Sequence, residues 1–326
     1  MEGSVARALR RAGHRVSLFD DRRTRRRVGH RLTQWLARRY AAAFSPDFVF
    51  LSKCLALDLE TVAAIVAGRE NAMWYHDPQW HRDVERPDVA HILSVGRLAA
   101  TFFVTGFDAE WRTHGVRALF LPAAGASEIV PVSPDPWYAA SAAFVGSAYD
   151  PTRAVFLREV ALNAGLMIRV WGPGWGPGVG GDAGLAPTGR TVEGRAFAAV
   201  CSSSDVTLGV LPARAADATT YASDRVWMTI LAGGCYLGPR TPGMDRMLLD
   251  GVHCASYTDA ASCALRLQEL LAHPAERARL RAEGEAFVRA HHTYDARLPF
   301  LLSGRAWENP LRGGESPPAA SCATSS

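Results

Sequence analysis

Apolar residues are spaced along this chain in two alternating patterns, a helical period and short uninterrupted runs. In the first half the helical period predicts helices at residues 4–12, 25–42 and 59–67. The short runs predict strands at 15–19, 48–51, 72–75, 91–95, 101–105 and 117–121. Strands separated by helices indicate a mostly parallel sheet and an α/β protein.

The second half repeats the alternation after a proline-rich segment, PVSPDP at 131–136, which predicts a linker. Strands are predicted at 142–145, 167–171, 206–210 and 235–237, and helices at 151–164, 192–202, 226–232, 276–290 and from the HTY sequence to 302. The glycine-rich stretch 172–189 has no periodicity and predicts a mobile loop. We expect two domains, 1–133 and 134–302, and then a disordered tail, 303–326, that is too rich in Pro, Ser and Gly to pack.

Length and composition are those of a globular protein with two domains of ordinary size. The chain has 326 residues and a net charge of +4, and no apolar run reaches the roughly 18–20 residues of a membrane span. No signal-peptide pattern opens the sequence. The six cysteines form no CxxC pair, which predicts buried free thiols in a reducing compartment. We therefore expect a cytoplasmic protein.

Basic residues concentrate in residues 22–39, which contain eight arginines and one histidine. One interpretation is a surface that binds acidic partners, such as nucleic acid or anionic lipid. The other is a solvated helix face whose apolar residues turn inward, namely Val28, Leu32, Trp35 and Leu36. We favour the second, because arginine is in excess throughout the chain and Lys53 is the only lysine. No nucleic-acid partner is then expected.

The segment 223–243, SDRVWMTILAGGCYLGPRTPG, combines several signals at one place. Ser223 supplies N-cap chemistry, an apolar helix follows, two glycines end it, and a short strand leads into a Pro/Gly loop. Such a unit brings a helix N-terminus and flexible loops to one edge of an α/β sheet, where phosphates are commonly held.

Five further motifs accompany this segment in order: FVGSAYDPTR (144–153), VWGPGW (170–175), VTLGVLP (206–212), DGVHCASY (250–257) and HHTYDAR (291–297). With them the chain resembles, from about residue 7 to 302, the spore-maturation-protein (CgeB-like) glycosyltransferases of group 1 type. The resemblance implies the GT-B fold, in which two Rossmann-like domains face each other across a cleft and a terminal helix packs back across both. Relatives open with a strand, whereas this sequence opens at the following loop, so we expect the first strand to be missing.

The resemblance also implies an activity, transfer of a sugar from a nucleoside-diphosphate sugar to an acceptor that the sequence does not identify. Backbone amides, a helix N-terminus and arginines suit the diphosphate. No DxD, HExxH or P-loop pattern is present, so no metal or other cofactor is expected.

The resemblance places the donor-binding residues in the second domain: Gly146, Ser147, Arg153, Gly172, Ser223, Arg225 and Gly243. Arg225 is the best single candidate, because a cation in a first helical turn opposes the helix dipole unless an anion is bound there. Some of these residues have a structural alternative. Gly146-Ser147 is also an ordinary turn, although we favour function there; Arg225 could form a domain-interface ion pair, and a type II turn explains Gly243 nearly as well. Ser223 is the N-cap under either interpretation.

One position departs from the family pattern. Relatives often carry a glutamate three residues after the arginine, where it holds the ribose, and this chain has Met228 there. A thioether cannot accept two hydroxyl hydrogen bonds as a carboxylate does. An impaired, non-catalytic nucleotide- or sugar-binding protein is therefore the main alternative, and an arginine-rich nucleic-acid binder is a third.

In the first domain, WYHDPQWH (74–81) follows a predicted strand and brings His76 and Asp77 to the cleft edge. Either residue suits an acceptor-side base in an inverting enzyme, or orients the acceptor in a retaining one. The structural alternative is Asp77 capping the next helix. His291 and His292 are adjacent on a predicted helix and point about 100° apart, which favours packing over a shared metal ion.

Overall fold

The computed structural model describes residues 2–77, 83–176, 184–212, 221–241 and 243–313. These residues form two parallel sheets. The N-terminal sheet contains, in spatial order, β1 (Phe48–Leu51), β2 (Glu70–Tyr75), β3 (Phe102–Val104) and β4 (Ala118–Phe120). The C-terminal sheet contains β5 (Ala140–Val145), β6 (Ile168–Trp171), β7 (Leu185–Pro187), β8 (Ser204–Leu208), β9 (Tyr236–Pro239) and β10 (Ala255–Tyr257). Its spatial order is β10-β9-β8-β5-β6-β7. Two domains with mostly parallel sheets, as predicted, are confirmed.

Helices connect and cover the strands. In the N-terminal half they are α1 (Glu2–Arg11), α2 (Asp21–Val28), α3 (His30–Phe44), α4 (Leu59–Val66), α5 (Pro87–Leu98) and α6 (Asp108–Thr113). In the C-terminal half they are α7 (Pro151–Ala164), α8 (Gly194–Ser203), α9 (Asp224–Leu231), α10 (Ala260–Ala272), α11 (Pro274–His291) and α12 (Tyr294–Ser303).

Helix α7 shows how local sequence sets these bounds. Asp150 accepts a hydrogen bond from the Thr152 amide at 3.0 Å, and Pro151 occupies the first helical position, where no backbone donor is needed. Gly165 ends the helix with a φ of 65°, a left-handed conformation that favours glycine. The predicted bounds, 151–164, are confirmed.

One predicted strand, 91–95, is wrong, because these residues lie inside α5. That helix begins at Pro87 and buries Val89, Ile92 and Leu93 on one face. The prediction followed the β-branched residues, but their spacing of three and four fits one side of a helix.

The predicted strand 15–19 is also wrong. The Tyr40 hydroxyl donates to the Leu18 carbonyl at 3.1 Å, and the rings of Phe19 and Tyr40 lie 5.5 Å apart. The segment therefore packs over α3. In the described residues no strand precedes β1, and 15–19 does not pair with its free edge.

The predicted helix 25–42 is two helices, interrupted at Gly29, whose φ is 79°. The prediction that its apolar residues turn inward is wrong for Val28, Leu32 and Trp35, which are 40%, 45% and 55% exposed. The face of α3 that packs on the domain carries Thr33, Gln34 and Ala37 instead.

In the C-terminal half, the stretch predicted as a loop, 172–189, contains the edge strand β7. Residues 177–183 of that stretch lie outside the described residues. Helix α10 was not predicted. It buries Cys263, Leu267 and Leu270 in the core of the domain, where they meet Leu157 of α7.

The last helix returns to the N-terminal half. Tyr294, Leu298 and Leu301 of α12 are buried with Trp74 of β2 and with α1. At the crossing, the Gly125 amide donates to the His292 carbonyl, and the Tyr294 amide donates to the Gly125 carbonyl, both at 2.9 Å. Both crossings of the chain between the halves thus lie side by side.

Folded structure continues past 302 into the segment predicted as a disordered tail. The Trp307 ring lies 5.7 Å from the Phe120 ring, and the Arg297 guanidinium lies over it at 5.5 Å. A 3-10 turn follows at Pro310–Gly313. Residues 314–326 lie outside the described residues.

Cys54, Cys201, Cys235, Cys254 and Cys263 are free thiols, as predicted, while Cys322 lies outside the described residues. No helix in the described part of the chain has the length and hydropathy needed to cross a bilayer.

Candidate functional site

A small cavity, open to solvent, lies at the carboxyl ends of β5 and β8. These strands are neighbours, but the chain leaves β5 toward β6 on one side and returns through β8 on the other. Such a reversal of strand order is the topological switch point, where open α/β sheets bind ligands. The walls are the ends of both strands, the loop after β8 and the first turn of α9.

Gly146, directly after β5, must be glycine. A Cβ there would lie 2.6 Å from the Phe144 ring and 2.7 Å from Nη1 of Arg225. Its amide donates to the Trp171 carbonyl at 2.8 Å, and its carbonyl accepts from the Trp175 indole at 2.6 Å. The next amide, that of Ser147, has no acceptor among the described residues and is available to a ligand.

Gly172 supports this loop from behind. Its φ is 133°, and a Cβ would collide with the carbonyl oxygen of Gly146. The structure therefore places Gly172 beside the loop and outside the set of residues that line the cavity. Gly172 would therefore affect a ligand only indirectly, by fixing the position of Gly146.

Two arginines converge at the cavity, and neither has a carboxylate partner in the part of the chain that the structure describes. Arg225 lines it from the first turn of α9, and Arg153 is buried behind it on α7. Arg153 donates to the Ser147 carbonyl at 3.3 Å and lies over the Tyr149 ring, but its Nε has no partner. Within the described residues neither arginine forms an ion pair, and no acceptor lies within hydrogen-bond distance of the Arg225 guanidinium.

Burial lowers the pKa of Arg153, and the neighbouring charge of Arg225 also lowers it, while Tyr149 and Asp150 act in the opposite direction. Two cations that disfavour each other, one of them with an unused buried donor, are an unfavourable arrangement for the protein alone. An anion at the cavity would supply the missing acceptors and remove the repulsion.

The N-terminus of α9 adds donors at the same place. Ser223 is the N-cap residue, as predicted, and its hydroxyl accepts from the Arg225 amide. Just before it, burial and the nearby carboxylates of Asp224 and Asp77 together raise the pKa of the Tyr221 phenol to about 12. Because Asp77 belongs to the N-terminal domain, Tyr221 marks where the two domains face each other.

Asp77 follows β2 and forms an ion pair with Lys53, with Nζ and Oδ2 2.5 Å apart. Its carboxylate remains 44% exposed, so it is also accessible to a ligand. Lys53 was not predicted as a site residue. Leu51 pairs with Met73 in the parallel register of β1 and β2, so Lys53 and Asp77 follow adjacent strand ends. The sequence signal that could have identified Lys53 is that the only lysine of the chain follows the predicted strand 48–51.

His76 is differently placed. Its ring packs on Trp74, with centroids 4.1 Å apart, and near Tyr294 of α12. Both ring nitrogens are buried without hydrogen-bond partners in the part of the chain described. Burial lowers the pKa of His76 to about 3, so the imidazole is neutral at ordinary pH.

Solved structures share this two-domain arrangement. Anabaena HepE in complex with UDP-glucose is 11% identical and covers 91% of this chain and 88% of its own, with a TM-score of 0.60. A glycosyltransferase from Rickettsia africae is 8% identical, with 92% of each chain covered and a TM-score of 0.60. Sucrose-phosphate synthase from Thermosynechococcus elongatus is 13% identical, with 81% and 74% covered and a TM-score of 0.54. The chain has a GT-B fold.

Sequence comparison adds a narrower match. A family described as "Glycosyl transferase-like" matches residues 153–303, which begin at Arg153 and include α9 and α12. A comparison with curated proteins found no match. The family match therefore covers most of the C-terminal domain, which is the side of the GT-B cleft that carries Arg153 and Arg225.

Two predicted features lie away from the GT-B cleft cavity. Gly243 is buried ahead of a 3-10 turn at Met244–Arg246, and its φ of −79° is not the positive value that a type II turn requires. The next residue, Met244, lines a second, smaller indentation together with Arg240. Pro242 lies outside the described residues.

His291 and His292 contribute packing at the crossing between the GT-B domains. The His292 ring stacks on Trp227 at 4.2 Å, and its Nδ1 lies 2.7 Å from the Arg297 guanidinium. Burial lowers the pKa of His292 well below its usual value. No group of three metal-ligating side chains occurs in the described ranges.

Proposed function

We propose that this protein is a glycosyltransferase, related to the CgeB-like group, that transfers a sugar from a nucleoside-diphosphate sugar without a metal ion. The observation that supports it is that Arg153 and Arg225, at the switch point of the C-terminal sheet, form no ion pair with any of the described residues. A diphosphate would accept from both arginines, from the Ser147 amide and from the first turn of α9. The same contacts would stabilise the charge on the leaving diphosphate as the glycosidic bond breaks.

On the opposite side of the cleft we assign the acceptor to Asp77. A carboxylate there would accept the proton of the attacking hydroxyl, or orient that hydroxyl if configuration is retained. Lys53 would position the carboxylate through the observed ion pair. His76 is less suitable as the base, because both nitrogens are buried and its pKa is about 3.

A second candidate is a binding protein that retains the fold without catalysis. Met228 favours it, because an apolar side chain that packs against the buried cluster around Trp171 and Val200 stands where the family pattern has a ribose-binding carboxylate. A donor would then bind through its diphosphate, and turnover would be slow or absent.

Thermal unfolding with UDP, GDP, ADP and their glucose conjugates tests the proposal, beginning with UDP-glucose because HepE was solved with it. A ligand at 100 times its dissociation constant adds about 2.7 kcal/mol. At roughly 2–4 °C per kcal/mol this raises the Tm by about 5–11 °C. Arg225→Ala should abolish the shift, and Arg195→Ala, at an exposed arginine on α8, should preserve it.

Donor hydrolysis separates the two candidates. Release of glucose from the stabilising donor, lost in Asp77→Asn and unchanged by EDTA, supports a metal-independent transferase. Stabilisation by the donor, without its hydrolysis and without sugar transfer to any acceptor tested, supports the binding protein. Unchanged melting across the whole panel would contradict both.

A further inference from the structure

Helices α2 and α3 present an apolar stripe to solvent. On α3, Leu32, Trp35 and Arg39 follow one another at helical spacing, and Val28 ends α2 just before them; the three apolar residues Val28, Leu32 and Trp35 are 40%, 45% and 55% exposed. Clustered exposure of this kind marks an interaction site more often than scattered apolar residues do.

Hydrogen bonds on the inner side fix this orientation. The Gln34 side chain donates to the Ala56 carbonyl and accepts from the Asp58 amide, both at 2.9 Å. Asp21 of α2 accepts from the Ala56 amide at 2.8 Å. Rotating either helix to bury the stripe would leave these buried polar groups without partners, which is costly.

Arginines surround the stripe, and most of them have no acidic partner. Arg38 pairs with Glu60 at 3.4 Å, and His30 pairs with Asp58 at 3.1 Å. The remaining seven arginines of 22–39 are exposed or partly exposed and form no ion pair within the described residues: Arg22, Arg23, Arg25, Arg26, Arg27, Arg31 and Arg39. Arg39 instead lies over the Trp35 ring at 5.7 Å.

We propose that this α2–α3 surface docks on an anionic lipid bilayer, with Val28, Leu32 and Trp35 entering the headgroup region. Tryptophan and leucine between arginines are typical of helices that lie in a membrane interface. Arginine stems can follow the apolar stripe while their guanidinium groups reach lipid phosphates. The positive charge of the surface complements an anionic leaflet, to which each arginine near the bilayer contributes about 1 kcal/mol.

Lipid is a better partner for this surface than nucleic acid. A phosphate backbone would account for the arginines alone, since non-specific binding depends on counterion release and needs no apolar contact. The exposed apolar residues at the centre of the surface have a role only if the partner has an apolar interior.

Vesicle co-sedimentation of the full chain tests the proposal. The protein should sediment with vesicles of equal phosphatidylcholine and phosphatidylglycerol, and not with phosphatidylcholine alone. Replacing Arg25, Arg26 and Arg27 by serine should weaken binding by the order of a hundredfold, at about fivefold per arginine. The control replaces exposed arginines elsewhere, Arg117, Arg195 and Arg305, and should bind like the parent.

A second pair of variants separates lipid from nucleic acid. Leu32→Ser/Trp35→Ser should weaken vesicle binding more than tenfold, with unchanged Tm and unchanged binding of duplex DNA. Leu162→Ser/Leu265→Ser, at exposed leucines of α7 and α10, should leave vesicle binding intact. Salt-sensitive binding of DNA but not of anionic vesicles, or vesicle binding that Leu32→Ser/Trp35→Ser does not weaken, would overturn the proposal.

Discussion

Two buried arginine sites of this chain differ in how their hydrogen-bond donors are used. Arg297, 1% exposed, donates to the carbonyls of Pro122 at 3.0 Å and His291 at 2.6 Å, and lies 2.7 Å from Nδ1 of His292. Arg153, 5% exposed, has one weak bond and a free Nε. Its neighbour Arg225 has no acceptor in the described residues.

The difference separates a structural arginine from a binding arginine. Burial lowers the pKa of Arg297 to about 9, yet its guanidinium is satisfied by backbone carbonyls and needs no ligand. The site arginines lack such partners among the described residues, and a bound anion would supply them. We therefore expect replacement of Arg297 to destabilise the protein and replacement of Arg225 to stabilise it slightly in the absence of ligand.

Replacement of Arg297 should give the largest effect. Arg297→Met leaves the carbonyls of Pro122, Ala123 and His291 without their donor, and each unpaired buried group costs about 1–3 kcal/mol. We expect a loss of about 4 kcal/mol in the free energy of unfolding, measured by urea denaturation. A loss below about 1 kcal/mol would show that the hydrogen bonds at the crossing are dispensable.

Arg225→Ala should weaken donor binding and leave the apo protein unharmed. Loss of charge-assisted hydrogen bonds costs about 1.5–3 kcal/mol, or roughly 10- to 150-fold in Kd measured by calorimetry. Without ligand, removing a cation from the first turn of α9 should stabilise by about 0.3–1 kcal/mol. The Kd of Arg225→Lys for the donor should fall between the values of the parent protein and of Arg225→Ala. Destabilisation of the apo protein would make Arg225 structural, like Arg297.

His76 extends the comparison to a group that is neutral and unsatisfied. Its folded pKa is about 3 and its unfolded value 6.5, so below pH 6.5 the unfolded chain binds a proton that the folded protein does not. Stability therefore falls as pH falls from 6.5, by about 1.4 kcal/mol per pH unit from this residue. His76→Phe keeps the ring packing and should be about 2 kcal/mol less sensitive between pH 6.5 and 5 by urea titration. Parallel curves would mean that His76 is protonated in the folded state.

Met228→Glu should give the smallest change. If the ribose lies beside α9, a carboxylate there should raise donor affinity by about 0.5–1.5 kcal/mol, or two- to tenfold. Met228→Leu preserves the packing and should leave Kd unchanged. A glutamate without effect on Kd would place the ribose elsewhere in the cleft.

Most strands and helices could be predicted because each has a local cause. Strand β1 is a short apolar run, and α7 has Asp150, Pro151 and Gly165 at its ends. The errors arose where tertiary contacts decide. Residues 15–19 alternate like a strand but pack over α3 instead. Gln34 faces inward because it finds partners there, and the Thr33 hydroxyl is satisfied by the Gly29 carbonyl of the preceding turn.

The site was predictable only in part for the same reason. Arg225 was identified from its conflict with the helix dipole, and the N-cap role of Ser223 from local sequence. The absence of acidic partners around Arg153 and Arg225 in the described residues depends on the whole fold. The pairing of Lys53 with Asp77 depends on the register of two strands that lie far apart in sequence.

The double crossing at Gly125 and His292 has a consequence for anyone dividing this molecule. Cutting the linker would release a C-terminal fragment whose last helix presents Tyr294, Leu298 and Leu301 to water. The N-terminal fragment would lose the helix that packs against β2 and α1. The lobes are consequently poor candidates for separate expression or for exchange by recombination at one breakpoint. A chimera would need two junctions, so that α12 and the N-terminal domain come from the same parent protein.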